Sequence, residues 1–215
     1  MEHLRRILAN NRRWAAQMTR TDPDFFSSRA GSQRPHFLFI GCSDSRVPAE
    51  AMTGVLPGEM FVHRNVANQV LPADLNVLAA LEFAVGVLQV EHVIVCGHYG
   101  CGGIAAALGT APLGVVDHWL GSLRTVIRIH RPELDAISDP EARSHRLVDL
   151  NVVEQVYNLG GTPIVQQAWS RGRRPLLHGL VYNINDGLLR ELVSGVDGED
   201  KLADLARKLA TAAAT

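Results

Sequence analysis

Short apolar runs alternate along most of the chain with segments that are long enough to form helices. Four apolar runs predict strands, at residues 36–40, 59–63, 92–96 and 176–184. Helices are predicted at residues 74–88, 103–108, 115–130, 140–171 with an interruption near 158–163, and 200–213. Strands separated by helix-length segments are typical of parallel sheets with crossover helices. We therefore expect an α/β fold, with a mostly parallel central β-sheet flanked by helices.

The first 20 or so residues have the spacing of an amphipathic helix. Its apolar side carries Leu4, Ile7, Leu8, Trp14 and Met18. Residues 21–35 are rich in Ser, Gly, Asp and Pro and predict a connector. We expect residues 1–34 to form a helical arm and connector, and residues 35–215 a single α/β domain. The apolar side favours packing against a partner helix over membrane binding, because its charge asymmetry is small.

Composition excludes several classes of partner. Among 215 residues, 21 Lys and Arg face 22 Asp and Glu, so neither nucleic acid nor an anionic membrane is an expected partner. No apolar stretch reaches the roughly 18 residues that span a bilayer. The first residues lack the apolar segment of a secretory signal. Three cysteines, an odd number, do not suggest a disulfide framework, so we expect a cytoplasmic location.

Potential metal ligands follow two of the predicted strands. Cys42 and Asp44 come directly after the first strand, and His98 and Cys101 come after the third. Open α/β sheets place their sites at the carboxyl ends of strands, where these side chains would meet. Two thiolates and an imidazole suit zinc, whereas magnesium and calcium prefer oxygen ligands. The sequence therefore predicts a zinc site.

Several motifs resemble those of the β-class carbonic anhydrases, in particular the bacterial type. They are GCSDSRVP at 41–48, PGEMFVHRNVAN at 57–68, GHYGCGG at 97–103, the NV and QV pairs at 151–152 and 155–156, and HGLVYNINDG at 178–187. The resemblance implies an α/β fold, a zinc ion, reversible hydration of carbon dioxide to bicarbonate and a proton, and self-association as a dimer or an assembly of dimers. On the matching positions the zinc ligands would be Cys42, His98 and Cys101, with Asp44 as a conditional fourth.

The chemistry expected of this site depends on the position that the three permanent ligands leave open. Zinc lowers the pKa of a water bound there to about 7, and the resulting hydroxide attacks carbon dioxide. Arg46, two residues after Asp44, can hold that carboxylate in a bidentate pair, so that an Asp44–Arg46 dyad gates the open position. Gly102 and Gly103 open the next helix, and their backbone N–H groups are expected to face a bound anion.

The resemblance implies two further sets of contacts. In related enzymes a glutamine at the offset of Gln33 reaches a neighbouring subunit's active site and binds substrate. Arg64 and Tyr182 match a non-catalytic bicarbonate pocket, although Arg64 has local pairing as an alternative. Phe39 stands where many bacterial relatives carry a tryptophan, and it has no N–H to donate. We therefore expect bicarbonate to bind that pocket more weakly here.

Two other functions remain open from the sequence. Cys42, Asp44, His98 and Cys101 would close a purely structural zinc site, but Arg46 would then compete for one of its ligands. A hydrolase of carbonyl sulfide or carbon disulfide would use the same zinc chemistry, and the intact Asp44–Arg46 pair favours carbon dioxide. A redox role for Cys96 and Cys101 is disfavoured because four residues separate them, and Cys96 is expected to be a buried apolar residue.

Overall fold

The structure of the protein is a computed structural model that describes residues 1–172 and 174–214. The chain divides into two compact units, one comprising Met1–Arg34 and the other beginning at Pro35. Among the described residues, no helix is both long enough and apolar enough to cross a membrane.

The N-terminal unit contains a long helix and a short one, α1 (Glu2–Thr21) and α2 (Ser27–Ala30). The indole of Trp14 meets the rings of Phe25 and Phe26 edge-on, with centroids 6.2 and 5.7 Å away. On the predicted apolar side of α1, Leu4, Ile7 and Leu8 are exposed.

Within the described residues, five strands form one sheet in the order β2-β1-β3-β4-β5. The strands are β1 (Phe37–Cys42), β2 (Met60–Asn65), β3 (His92–His98), β4 (Leu176–Tyr182) and β5 (Leu189–Val196). The first four pair in parallel, and β5 joins β4 in an antiparallel pair. The predicted α/β fold with a mostly parallel sheet is confirmed.

Two differences from the predicted strands have a local cause. The fourth strand ends at Tyr182 instead of residue 184, because a turn begins at Asn183, whose N–H donates to the carbonyl of Leu188. That turn leads into β5, which the sequence pattern did not predict. Arg190 and Glu191 are exposed on this edge strand, so it lacks the continuous apolar run of the buried strands.

Helices flank the sheet. They are α3 (Ala49–Thr53), α4 (Leu75–Glu82), α5 (Gly102–Leu108), α6 (Val115–Trp119), α7 (Gly121–Ile129), α8 (Arg131–Ala136), α9 (Pro140–Gly160), α10 (Pro163–Ser170) and α11 (Glu199–Ala214). The helix predicted at 74–88 continues past Glu82 as a π-helical segment, Phe83–Leu88. The helix predicted at 115–130 is divided between α6 and α7 at Leu120, which has non-helical backbone angles.

Helix α9 lies unusually close to the centre of the sheet. A Cβ atom on Gly97 of β3 would lie 2.6 Å from Cγ2 of Val152, and one on Gly179 of β4 would lie 2.9 Å from its Cγ1. Only glycine therefore fits at these points without movement of the helix. This close approach brings Asn151 and Gln155 of α9 into hydrogen-bonding distance of the segment that follows β2.

Candidate metal centre

The ends of two adjacent parallel strands bring three potential ligands together. Cys42 ends β1 and His98 ends β3, and the register pairs Gly41 with Cys96. Cys101 follows after a turn at Gly100, which has a φ of 69°. The Sγ atoms of Cys42 and Cys101 are 3.8 Å apart, and all three ligand atoms lie within 4.8 Å of one another. The three residues are buried.

This cluster fits a zinc ion. Two thiolates at about 2.3 Å from a tetrahedral zinc lie about 3.8 Å apart, which agrees with the observed sulfur separation. His98 Nδ1 lies 3.0 Å from the carbonyl oxygen of Tyr99 and therefore carries the proton. Its Nε2 atom is buried and has no hydrogen-bond partner among the described residues. A buried nitrogen without a partner, beside two thiols, has the environment of a metal ligand.

The two buried thiols are coupled by their hydrogen bond. Hydrogen bonding from Cys101 lowers the pKa of Cys42, and the same bond, together with burial, raises the pKa of Cys101. The pair therefore loses one proton readily and keeps the second. Binding of a divalent cation would displace that second proton, as is general for thiolate ligands.

Asp44 and Arg46 form the bidentate pair that their spacing allows. Arg46 Nε donates to Asp44 Oδ1 at 2.9 Å, and Arg46 Nη2 donates to Oδ2 at 2.7 Å. These hydrogen bonds hold the pKa of Asp44 well below its usual range, against the effect of burial. The same Nη2 atom also donates to the carbonyl oxygen of Gly100 at 3.0 Å. Asp44 is therefore a fixed carboxylate at neutral pH.

Arg64 contacts the backbone of the segment that carries the first ligand. Its Nε atom donates to the carbonyl oxygen of Cys42 at 2.8 Å, and its Nη2 to that of Asp44 at 2.6 Å. This is the local pairing that the sequence left open as an alternative. Tyr182 lies opposite His98 in the β3–β4 register and shares an apolar cluster with Phe39. The bicarbonate pocket at Arg64 and Tyr182 stays a prediction.

The predicted substrate contacts lie in different parts of the chain. Gly102 is exposed at the start of α5, and Gly103 is buried, where an added Cβ would lie 3.0 Å from the Cβ of Ala67. Gln33 is exposed and belongs to the N-terminal unit. Their roles toward substrate stay predictions.

The third cysteine stands apart from the cluster chemically. Cys96 is buried within β3, and burial raises the pKa of its thiol to about 12. The reactive species of a redox cysteine is the thiolate, which this environment disfavours. All three cysteines are free thiols.

A buried polar network behind the centre was not predicted from the sequence. Gln69 Nε2 donates to the carbonyl oxygen of Ala67 and to Asn151 Oδ1, both at 2.8 Å, and Gln155 Nε2 donates to the same Asn151 oxygen at 3.0 Å. It supports a turn in which Ala67 and Asn68 have left-handed backbone angles. Asn151 and Gln155 lie one helical turn apart on an otherwise apolar face, which is the signal that could have indicated the network.

Comparison with known proteins places this centre in a family. The sequence model of the carbonic anhydrase family matches residues 37–189. A solved tetrameric β-carbonic anhydrase from Sordaria macrospora is 41% identical and superposes with a TM-score of 0.87, over 91% of this chain and 100% of that one. The chain belongs to the β-carbonic anhydrase family. The resemblance predicted from the motifs is confirmed.

Two further proteins are similar to this one along nearly the whole chain. A carbonic anhydrase from Emericella nidulans is 46% identical over 200 residues, which are 93% of this chain and 87% of the relative. The Coccomyxa β-carbonic anhydrase, solved in complex with acetazolamide, is 39% identical with a TM-score of 0.89, over 94% of each chain.

Proposed function

We propose that this protein is a zinc-dependent carbonic anhydrase, which interconverts carbon dioxide and water with bicarbonate and a proton. The observation that carries the proposal is the buried Cys42–His98–Cys101 cluster, whose imidazole Nε2 has no partner among the described residues. Membership of the β-carbonic anhydrase family supports the same reaction.

Cys42, His98 and Cys101 would hold the zinc ion. When bound, zinc supplies a Lewis acid that lowers the pKa of water toward neutrality, so that hydroxide becomes available as the nucleophile. The carbonyl oxygen of Tyr99 fixes the His98 tautomer and ring orientation, which leaves Nε2 for the metal.

Asp44 and Arg46 would orient the nucleophile, and their pairing would keep the carboxylate from acting as a metal ligand. Arg46 engages both oxygens of Asp44, yet each carboxylate oxygen retains a further lone pair. Asp44 would accept a hydrogen bond from the nucleophile and so direct the lone pair of that nucleophile toward carbon dioxide. Since Arg46 is itself anchored on Gly100, the carboxylate is held 3.8 Å from His98 Nε2, beyond hydrogen-bonding distance. This arrangement disfavours a closed structural zinc site, which would need Asp44 as a ligand.

We propose that Gln33, Gly102 and Gly103 contact carbon dioxide or bicarbonate, with Gln33 contributed by a neighbouring subunit. That role requires self-association as a dimer or tetramer. The tetrameric state of the Sordaria macrospora relative supports it, as do the exposed apolar residues of α1. Light scattering of the wild-type protein and of Leu4→Glu/Leu8→Glu would test this point, because the double variant is expected to dissociate.

We also propose a cytoplasmic location. The three free thiols support a reducing compartment, and cell fractionation tests the location.

We further propose a weak regulatory bicarbonate site at Arg64 and Tyr182. Phe39 cannot donate a hydrogen bond, so bicarbonate is expected to inhibit the wild-type enzyme less than Phe39→Trp. Hydration rates of the wild type and of Phe39→Trp, measured against bicarbonate concentration, test this expectation.

The proposed function is tested by stopped-flow measurement of carbon dioxide hydration together with metal analysis. We expect about one zinc per chain, loss of activity in excess chelator, and recovery when zinc is restored. Carbonyl sulfide hydrolysis is measured on the same samples and should be much slower. A fully zinc-loaded protein that hydrates carbon dioxide no faster than buffer would contradict the proposal.

A further inference from the structure

The two consecutive carbonyl groups of Tyr99 and Gly100 each hold a functional side chain. The carbonyl oxygen of Tyr99 lies 3.0 Å from His98 Nδ1, and that of Gly100 accepts from Arg46 Nη2 at 3.0 Å. One short turn therefore orients both the imidazole ligand and the arginine that restrains Asp44. The direction of the second carbonyl depends on the left-handed φ of 69° at Gly100, which side chains with a Cβ disfavour.

This turn lies just beyond the end of β3, so the sheet restrains it little. The N–H of Tyr99 donates to the carbonyl oxygen of Tyr182 at 3.1 Å, and the β3–β4 pairing ends at His98 and Tyr182. A second restraint comes from the Tyr99 side chain.

The Tyr99 hydroxyl is bound to an ion pair from two distant elements. It donates to Asp149 Oδ1 of α9 at 3.1 Å and accepts from Arg190 Nη2 of β5. Arg190 Nη2 also donates to both oxygens of Asp149, each at 2.7 Å. Only 14% of the Asp149 side chain is exposed, against 53% of the Arg190 side chain, so solvent screens this pair mainly from the arginine side. The ring of His145 covers the Tyr99 ring, with centroids 4.1 Å apart.

We propose that Tyr99, Asp149 and Arg190 are positioning residues, which act through the Tyr99–Gly100 turn on both His98 and Arg46. The proposal rests on the proposed function, since it concerns how the same centre holds zinc and keeps Asp44 away from it. The Tyr99 carbonyl is the direct hydrogen-bond partner of the ligand His98, and loss of such a partner costs about 10- to 100-fold in metal affinity or activity. The Tyr99 hydroxyl acts one step further out, so the lower end of that range is expected when it is removed.

Loss of the hydrogen bonds that join Tyr99 to Asp149 and Arg190 should have two linked effects. A looser Tyr99 carbonyl orients His98 less well, so zinc dissociates faster. A looser Gly100 carbonyl anchors Arg46 less well, so Asp44 reaches the metal position more often. The kcat for hydration should then fall while KM changes little, because the fraction of competent enzyme is reduced and substrate contacts are intact.

The test compares Tyr99→Phe with a matched control, Tyr157→Phe. Both remove one phenol hydroxyl and keep the ring. Tyr157 lies on α9, is 38% exposed, and makes no side-chain hydrogen bond to the residues that the structure describes. Arg190→Lys is the second variant, because it keeps the charge but lacks the planar guanidinium fork. If Tyr99→Phe fails to fold, Arg190→Lys alone tests the proposal.

Three measurements are made on the zinc-loaded proteins: transfer of zinc to excess chromogenic chelator, kcat and KM, and thermal stability. The visible spectrum of the cobalt-substituted proteins is a fourth, since it reports the ligand set directly. We expect zinc transfer about 10-fold faster in Tyr99→Phe, a changed cobalt spectrum, and a lower kcat, with Tyr157→Phe like the wild type. Arg190→Lys should show the same changes to a smaller extent.

The proposal would be overturned if Tyr99→Phe and Arg190→Lys had unchanged zinc transfer and cobalt spectra and only a lower thermal stability. That result would show that the hydrogen bonds among Tyr99, Asp149 and Arg190 stabilise the fold without positioning the ligands. A wild-type protein that binds no zinc would overturn the proposed function as well. The two failures are therefore distinguished by the wild-type sample.

Discussion

Asp44 Oδ2 lies 3.8 Å from Nε2 of His98, although Arg46 holds both oxygens of that carboxylate. The restrained carboxylate is thus a near neighbour of the nitrogen that is available for a metal. Since His98 Nε2 and the two thiols face the same small space, Asp44 could join them after a modest side-chain rotation. Asp44 can become a metal ligand only if it gives up its two hydrogen bonds from the Arg46 guanidinium.

Replacement of Arg46 by alanine should leave zinc bound but suppress hydration. Without its partner, Asp44 should bind the metal and occupy the position that water needs, so we expect a fall in kcat of about 100-fold. Arg46→Lys should be intermediate because lysine cannot form the bidentate pair. Zinc content and hydration rate are measured beside Arg128→Ala, which changes an exposed arginine of α7. Wild-type rates in Arg46→Ala would refute the role given to the pair.

Each of the three cluster residues should be required for zinc. Cys42→Ala, His98→Ala and Cys101→Ala each remove one ligand from a set of three, so zinc content should fall well below one per chain and hydration should cease. Cys96→Ala is the matched control because its thiol is equally buried and lies outside the cluster. Near-normal zinc and activity in any of the three variants would contradict the ligand assignment.

The buried amide network should contribute measurably to stability. Gln69→Leu would remove three hydrogen bonds, those that Gln69 makes to the carbonyl of Ala67, to Asn151 Oδ1 and to the hydroxyl of Ser122. A hydrogen bond contributes about 0.5–1.5 kcal/mol net, so we expect the loss of three to lower the free energy of unfolding by about 2–3 kcal/mol. Denaturant titration is compared with Gln167→Leu, an exposed position on α10. Equal midpoints for the two variants would show that the network contributes little.

His130 should make stability depend on pH on the acidic side of neutrality. Burial lowers the pKa of His130 below its usual value, and only 1% of the residue is exposed. The unfolded chain, with a histidine pKa of about 6.5, then binds a proton that the native state does not. Stability conferred by neutral His130 is present above that pKa and is lost as the pH falls below it.

The slope of the free energy of unfolding against pH, between about pH 7 and 5, is the measurement. His130→Gln should reduce the slope, whereas His118→Gln, at an exposed position, should not. Burial also lowers the pKa of His63 and His178, so part of the slope should remain. An identical slope in His130→Gln and the wild type would exclude the effect.

The strands and ligands that carry the centre were predictable because they are encoded locally. Buried parallel strands are continuous apolar runs, and Cys42 and His98 stand at the ends of two of them. Strand β5 was not predicted because Arg190 and Glu191 interrupt its apolar pattern at the sheet edge. The division of the helix at Leu120 lies directly before Gly121, a residue of low helix propensity that the apolar periodicity of residues 115–130 does not take into account.

The surroundings of the centre were not predictable because they depend on long-range contacts. Tyr99 is 50 residues from Asp149 and 91 from Arg190, and nothing in the local sequence links the three. Gln69 is likewise 82 residues from Asn151. Such pairs follow only from the strand order and from the close approach of α9 at Gly97.

The two cysteine ligands are 59 residues apart: Cys42 ends β1, and Cys101 follows the neighbouring strand β3 after a turn. A slip of one residue between β1 and β3 would turn the Cys42 side chain to the opposite face of the sheet. The slipped chain would present only His98 and Cys101 on the correct side. Zinc would therefore bind the native pairing and reject its misaligned neighbours. Its binding free energy would stabilise that single alignment during folding.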